Sequence, residues 1–92
     1  MPKVVLTAQV QEPGEWEGKF RTHVDVFRTY GLQAPVQYAI TGNEVAVCFD
    51  PEDLDQFKRA LESKATADAM AFDGVKRETV KMFVLDKNLE LK

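Results

Sequence analysis

The sequence predicts an α+β sandwich in which four strands form one antiparallel sheet and two helices cover one face of it. Three observations carry that expectation. Apolar and other residues alternate over Val4 to Val10, Val36 to Phe49 and Val80 to Leu85, with the period of two that strands show. Apolar residues recur at helical spacing over Pro13 to Tyr30 and again from Pro51. The order is therefore βαββαβ, filling 1–92 as a single domain with 86–92 as a C-terminal tail.

The first strand starts at Lys3 and places Val4, Leu6, Ala8 and Val10 on one parity. Pro13 suits the first position of a helix, and Glu15 and Glu17 put negative charge at its positive end. Trp16, Phe20, Val24 and Phe27 form one apolar stripe, with Tyr30 on the same side. Gly31 is the expected C-cap, because a residue without Cβ turns left-handed at little cost.

Strands 2 and 3 span Val36 to Thr41 and Glu44 to Phe49, and Gly42-Asn43 between them is a hairpin signal. The second helix is expected to start at Asp50-Pro51, with Asp50 accepting from free amides and Pro51 in the first turn. Leu54, Phe57 and Leu61 are its buried stripe. Ser63 or Thr66 restarts a short helical turn holding Ala69, Met70 and Phe72, which Gly74 ends. The fourth strand runs over Val80 to Leu85, and the polar tail beyond it carries Leu89 and Leu91.

Ninety-two residues make a marginal core, so association with a second copy is a natural source of stability. Twelve basic residues stand against fifteen acidic ones, and the net charge of −3 argues against nucleic acid. Cys48 is the single cysteine, which excludes an internal disulfide and fits a cytoplasmic setting. A strand beginning at Lys3 leaves no room for a signal peptide. No apolar run approaches the roughly 20 residues of a membrane span, so no membrane partner is expected.

Both parities of the sheet are substantially apolar. One holds Val4, Leu6, Ala8, Val45, Val47, Val80, Met82 and Val84, which the helices should cover. The other holds Val5, Thr7, Gln9, Gln37, Ala39, Ala46, Cys48, Phe83 and Leu85, with Glu44 and Lys81 as its main charges. A solvated face alternates to charge instead. Such a patch calls for a partner, and a two-fold homodimer packed sheet to sheet is the simplest.

On this element order, the aromatic stripe Trp16-Phe20-Phe27 and the broken helix from Ser63 to Gly74-Val75, the chain resembles the dimeric α/β-barrel superfamily. In that superfamily two ferredoxin-like βαββαβ protomers pack sheet against sheet. It includes cofactor-independent monooxygenases, haem-degrading enzymes, isomerases, stress-responsive proteins and uncharacterised members. The resemblance implies fold and dimerisation more directly than activity.

His23, the single histidine, lies on the apolar stripe of the first helix and faces the sheet. Two roles stand open for it. One is a general base, hydrogen-bond donor or axial ligand; the other is a core histidine bonded to a backbone carbonyl or a nearby Asp or Gln. Tyr38 is the second catalytic candidate, on a strand beside Gln37. Trp16, Phe20, Phe27 and Tyr30 would line a pocket for a hydrophobic or aromatic small molecule, or would simply be core.

Cys48 reads as a small buried hydrophobe, and Glu52, Asp53 and Asp55 as first-turn charges. No Ser-His-Asp order, phosphate loop or zinc spacing is present, and no cofactor is expected. The expected function is a homodimeric barrel with a hydrophobic pocket, acting as a cofactor-independent monooxygenase- or isomerase-like enzyme. The alternative is a non-catalytic dimeric binding or stress-related protein.

Overall fold

A computed structural model describes residues 3–29, 31–32 and 35–91, with the Thr29 side chain outside the description. The four strands are β1 (Lys3–Val10), β2 (Gln37–Thr41), β3 (Glu44–Phe49) and β4 (Val75–Leu85). They form one antiparallel sheet in the order β2-β3-β1-β4. The alternation in β1 and β3 decides which face is covered: Val4, Leu6, Ala8, Val10, Val45, Val47 and Phe49 are buried, and their neighbours are not. Trp16 and Phe57 close this core from the helical side.

The first helical arm is not one helix. It comprises α1 (Pro13–Phe20), a 3₁₀ turn (Arg21–His23) and α2 (Val24–Thr29). A 3₁₀ residue advances about 120° rather than about 100°, so three of them swing the face by about 60°. Val24, expected on the buried stripe, is accordingly 50% exposed. The arm ends as expected at Gly31, whose φ is +70°. Gly31 N–H donates to Arg28 O at 3.2 Å and Leu32 N–H to Phe27 O at 3.4 Å, the paired bonds of a Schellman ending.

Gly42 turns the β2–β3 hairpin with φ of +60°, and Asn43 after it keeps a negative φ, as in a type II′ turn. The second helical arm begins three residues later than Asp50-Pro51 suggests. Pro51 pairs with Leu32 in an isolated antiparallel bridge, and Glu52 N–H donates to Gly31 O at 3.1 Å, which keeps this segment extended. Asp53 is the cap of α3 (Leu54–Leu61), and its Oδ1 accepts from Gln56 N at 3.1 Å. Ser63 caps α4 (Lys64–Phe72), a full helix rather than a short turn.

β4 begins five residues before Val80. Its register with β1 jumps between Thr7, opposite Lys81, and Gln9, opposite Lys76. The extra loop of strand is closed by Thr79, whose Oγ1 accepts from Gln9 N at 2.8 Å and donates to Lys76 O at 2.6 Å. This bulge interrupts the alternation, which hides the strand's first half from a period-two pattern. Met82 belongs to the helix-side parity but is 38% exposed, because β4 is an edge strand. On the open face, Phe83 and Leu85 are 51% and 52% exposed. Leu89 and Leu91, in the tail after β4, are exposed as well.

Candidate functional site

Between the two helical arms and the sheet lies a cavity of about 100 Å³. Leu6, Ala8, Val45, Val47 and Phe49 form its floor; Trp16, Phe20, His23 and Phe27 come from the first arm, and Phe57, Leu61, Met70 and Asp73 from the second. The lining is almost wholly apolar. Its polar side chains are Thr7, His23, Thr66 and Asp73, and Thr66 donates its hydroxyl hydrogen to Ala60 O at 2.6 Å.

His23 and Asp73 meet across this space. His23 Nε2 lies 3.0 Å from Oδ1 and 2.9 Å from Oδ2 of Asp73, and the two side chains are 16% and 6% exposed. The 3₁₀ turn brings His23 toward the second arm. Asp73 is the last residue of that arm before Gly74, whose left-handed φ of +77° reverses the chain into β4. A carboxylate only accepts, so Nε2 carries the proton; in the neutral ring Nδ1 then holds the lone pair. Among the described residues Nδ1 has no protein partner. Lys19 adds a second tie between the arms, donating from Nζ to Phe72 O at 3.0 Å and lying 4.7 Å from the Phe72 ring.

Tyr38 is elsewhere. It lies behind a wall of aromatic rings: Phe20 is 4.7 Å from Trp16, 5.2 Å from Phe27 and 5.3 Å from Tyr38, centroid to centroid. Its hydroxyl donates to Glu17 Oε2 at 2.6 Å, and Arg21 sits 5.5 Å from its ring. The carboxylate acceptor, and then partial burial, raise the phenol above its ordinary value, against the opposing pull of Arg21. Tyr38 faces a second, outer hollow of about 350 Å³ that it shares with Phe20, Arg21, Phe27 and Arg28. Phe20 and Phe27 border both spaces.

The structure thus gathers Trp16, Phe20, His23 and Phe27 around one cavity and leaves Tyr38 outside it. Tyr30, the remaining expected lining residue, falls outside the described residues. Asp73 was not anticipated. The signal for it was slight: an acidic residue just ahead of a helix-ending glycine, after the largely apolar run Ala69 to Phe72. Among the described residues no group of three or more His, Cys, Asp or Glu is placed to hold a metal ion, and no helix is long and apolar enough to cross a membrane.

Comparison with solved structures places this architecture. SnoaB, a cofactor-independent oxygenase from Streptomyces nogalater, superposes with a TM-score of 0.69 at 20% identity, over 98% of this chain and 95% of that one. An antibiotic biosynthesis monooxygenase gives 0.68 at 10% identity, over 97% and 100%. The chain has the ferredoxin-like fold of these proteins. Rv0793 from Mycobacterium tuberculosis shares it at a TM-score of 0.60 and 14% identity, over the full length of both chains. The resemblance to the dimeric α/β-barrel superfamily therefore holds at the level of the ferredoxin-like fold. No family model and no curated protein matches the sequence.

Proposed function

We propose that this protein is a cofactor-independent, monooxygenase- or isomerase-like enzyme acting on a hydrophobic aromatic substrate, as a homodimer packed sheet to sheet. The carrying observation is the His23–Asp73 pair on the wall of an apolar cavity. A carboxylate behind an imidazole fixes its tautomer and supports the cation formed when the other nitrogen takes a proton. Proton abstraction from an enolisable hydroxyaromatic leaves a carbanion that molecular oxygen oxidises directly. For a ring methylene, one O₂ is consumed, one oxygen atom becomes the new carbonyl and the other leaves as water. The methylene supplies all four electrons that reduce the O₂, so no reductant is required. An apolar pocket suits this chemistry, because it excludes water from the carbanion.

In this reading His23 is the base, Asp73 positions it, and Trp16, Phe20 and Phe27 hold the rings. Tyr38 takes part only for a ligand that reaches past Phe20 and Phe27. The fold shared with an oxygenase supports the reading, and so does the open sheet face with Phe83 and Leu85 on it. The free thiol of Cys48 suits a reducing cytoplasm.

One observation favours a second reading. A cavity of about 100 Å³ is well below the roughly 300 Å³ at which ordinary ligand pockets begin. That suits a non-catalytic dimeric binding or stress-related protein, unless the arms part to admit substrate.

Oxygen uptake with hydroxyanthrone and hydroxynaphthalene substrates, without added cofactor, separates the two. The enzyme reading expects accelerated uptake, lost in His23→Ala and reduced in Asp73→Asn while both variants stay folded and dimeric. Uptake equal in the parent and His23→Ala overturns it. A monomer by light scattering at micromolar concentration overturns the dimer.

A further inference from the structure

We propose that the outer hollow between the first helical arm and β2 is a binding site for a small aromatic carboxylate. Three observations on the molecule converge on that ligand class.

Size comes first. At about 350 Å³ this hollow lies within the range of ordinary small-molecule sites, which the interior cavity does not reach. That volume exceeds a bicyclic ring's, so the site does not require the helices to part.

Its floor is apolar and aromatic. Phe20, Phe27, Leu32 and Val36 line it, with Val24 half exposed over it, although solvent-facing positions on a short helix are normally polar. Phe20 and Tyr38 already stand edge to face at 64°, so a flat ring entering beside them meets the packing geometry that aromatic rings prefer.

Charge decides between a neutral and an anionic ligand. The chain carries a net charge of −3, yet this hollow is lined by two guanidinium groups and, among the described residues, by no carboxylate. Arg21 and Arg28 lie seven residues apart on one arm, bracketing the floor. Each is held only loosely: Arg21 is 3.8 Å from Glu17 and Arg28 3.3 Å from Asp25, with the arginine side chains 68% and 75% exposed. Exposed pairs of this kind contribute little. A ligand carboxylate anchored by its ring over the floor exchanges for them readily, and a guanidinium can take it in two parallel bonds.

Phe20 and Phe27 border both spaces, but neither His23 nor Asp73 lines the hollow, so binding there can fail or succeed without the proposed reaction. The test uses 2-naphthoate and its uncharged counterpart 2-naphthylmethanol on the full chain, followed by amide NMR shifts. Naphthoate is expected to bind at least about tenfold more tightly, the factor one charge-assisted hydrogen bond contributes. Its shifts should cluster on residues 20–28 and 36–38. The preference should vanish in the Arg21→Gln/Arg28→Gln variant and persist in His23→Gln. In the unaltered protein, added salt should weaken naphthoate alone, which gives a readout independent of any variant's folding. Equal affinity for the two probes, no binding of naphthoate at millimolar concentration, or a preference that survives the double variant each overturns the site.

Discussion

The two helical arms cover the same face of the same sheet, yet they are held in opposite ways. In the second arm, side chains secure each helix start: Asp53 accepts from Gln56 N, and Ser63 accepts from Thr66 N. Among the described residues, neither α1 nor the 3₁₀ turn of the first arm starts with such a bond. Glu12 at the start of α1 makes no side-chain cap, Gly14 and Gly18 sit inside that helix, and a 3₁₀ turn separates α1 from α2. What holds it is a chain of rings, Trp16 on Phe20, Phe20 on Phe27, Phe27 on Phe49, together with the polar ties of Lys19 and His23 to the second arm. The second arm is specified by its own sequence, and the first by what it lies on. The aromatic walls, His23 and both hollow-lining arginines belong to the arm that is locally less determined. That is physically sensible, because an arm set by packing can repack around a ligand at small cost.

The sharpest way to break this comparison is to remove the anchor. Trp16 is 2% exposed, and Trp16→Ala should cost about 3–5 kcal/mol in denaturant unfolding. Amide exchange should rise across residues 13–29 well before it rises across 54–72. Equal loss of protection in both arms would show one cooperative layer, and the distinction between them would fall.

A smaller effect tests the other half. Ser63→Ala and Asp53→Ala should each cost about 1 kcal/mol, since each strips an acceptor from a helix start. Glu12→Ala, at the corresponding place on α1, should stay within about 0.5 kcal/mol, as surface changes without a partner do. A Glu12 cost matching the other two would mean that the first arm is capped after all.

The same contrast explains what the sequence disclosed. β3 was legible to the residue, because strict alternation runs between a hairpin turn and Asp50. Gly31 and Gly74 were legible as endings, because a left-handed turn has few other sources. The 3₁₀ turn was not: nothing in Arg21-Thr22-His23 disfavours a continuous helix, and the break belongs to the packing around it. Pro51 was misread because its place is decided by Leu32, nineteen positions earlier and across the fold. The pattern Asp53-x-x-Gln56 was present as the true start and was overshadowed by Asp50-Pro51. His23 could be singled out by its spacing, but its partner Asp73 lies fifty positions away, a pairing that only the chain's path creates. For the same reason the separation of Tyr38 from His23 by a wall of rings was invisible beforehand.

The smallest expected effect lies at Tyr38, where the first arm touches the edge strand. Glu17 accepts the phenol hydrogen at 2.6 Å, a bond available only to the neutral phenol, and this is the leading reason its ionisation is raised. In a Tyr30→Phe background Tyr38 is the one remaining tyrosine, so ultraviolet titration reads it alone. Glu17→Gln should lower the midpoint, because it removes the negative charge beside the forming phenolate. Arg21→Gln should raise it, because the guanidinium favours the phenolate. The linked effect on folding has a definite sign. A group raised in the folded state stabilises the fold below its unfolded value, about 10 for a phenol, and that contribution is lost as pH climbs through the folded value. The unaltered chain should therefore lose stability more steeply than Glu17→Gln above about pH 10. Superimposable titrations of the parent and Glu17→Gln would detach α1 from β2 at this point. The first arm would then rest on its rings and on its Lys19 and His23 ties to the second arm.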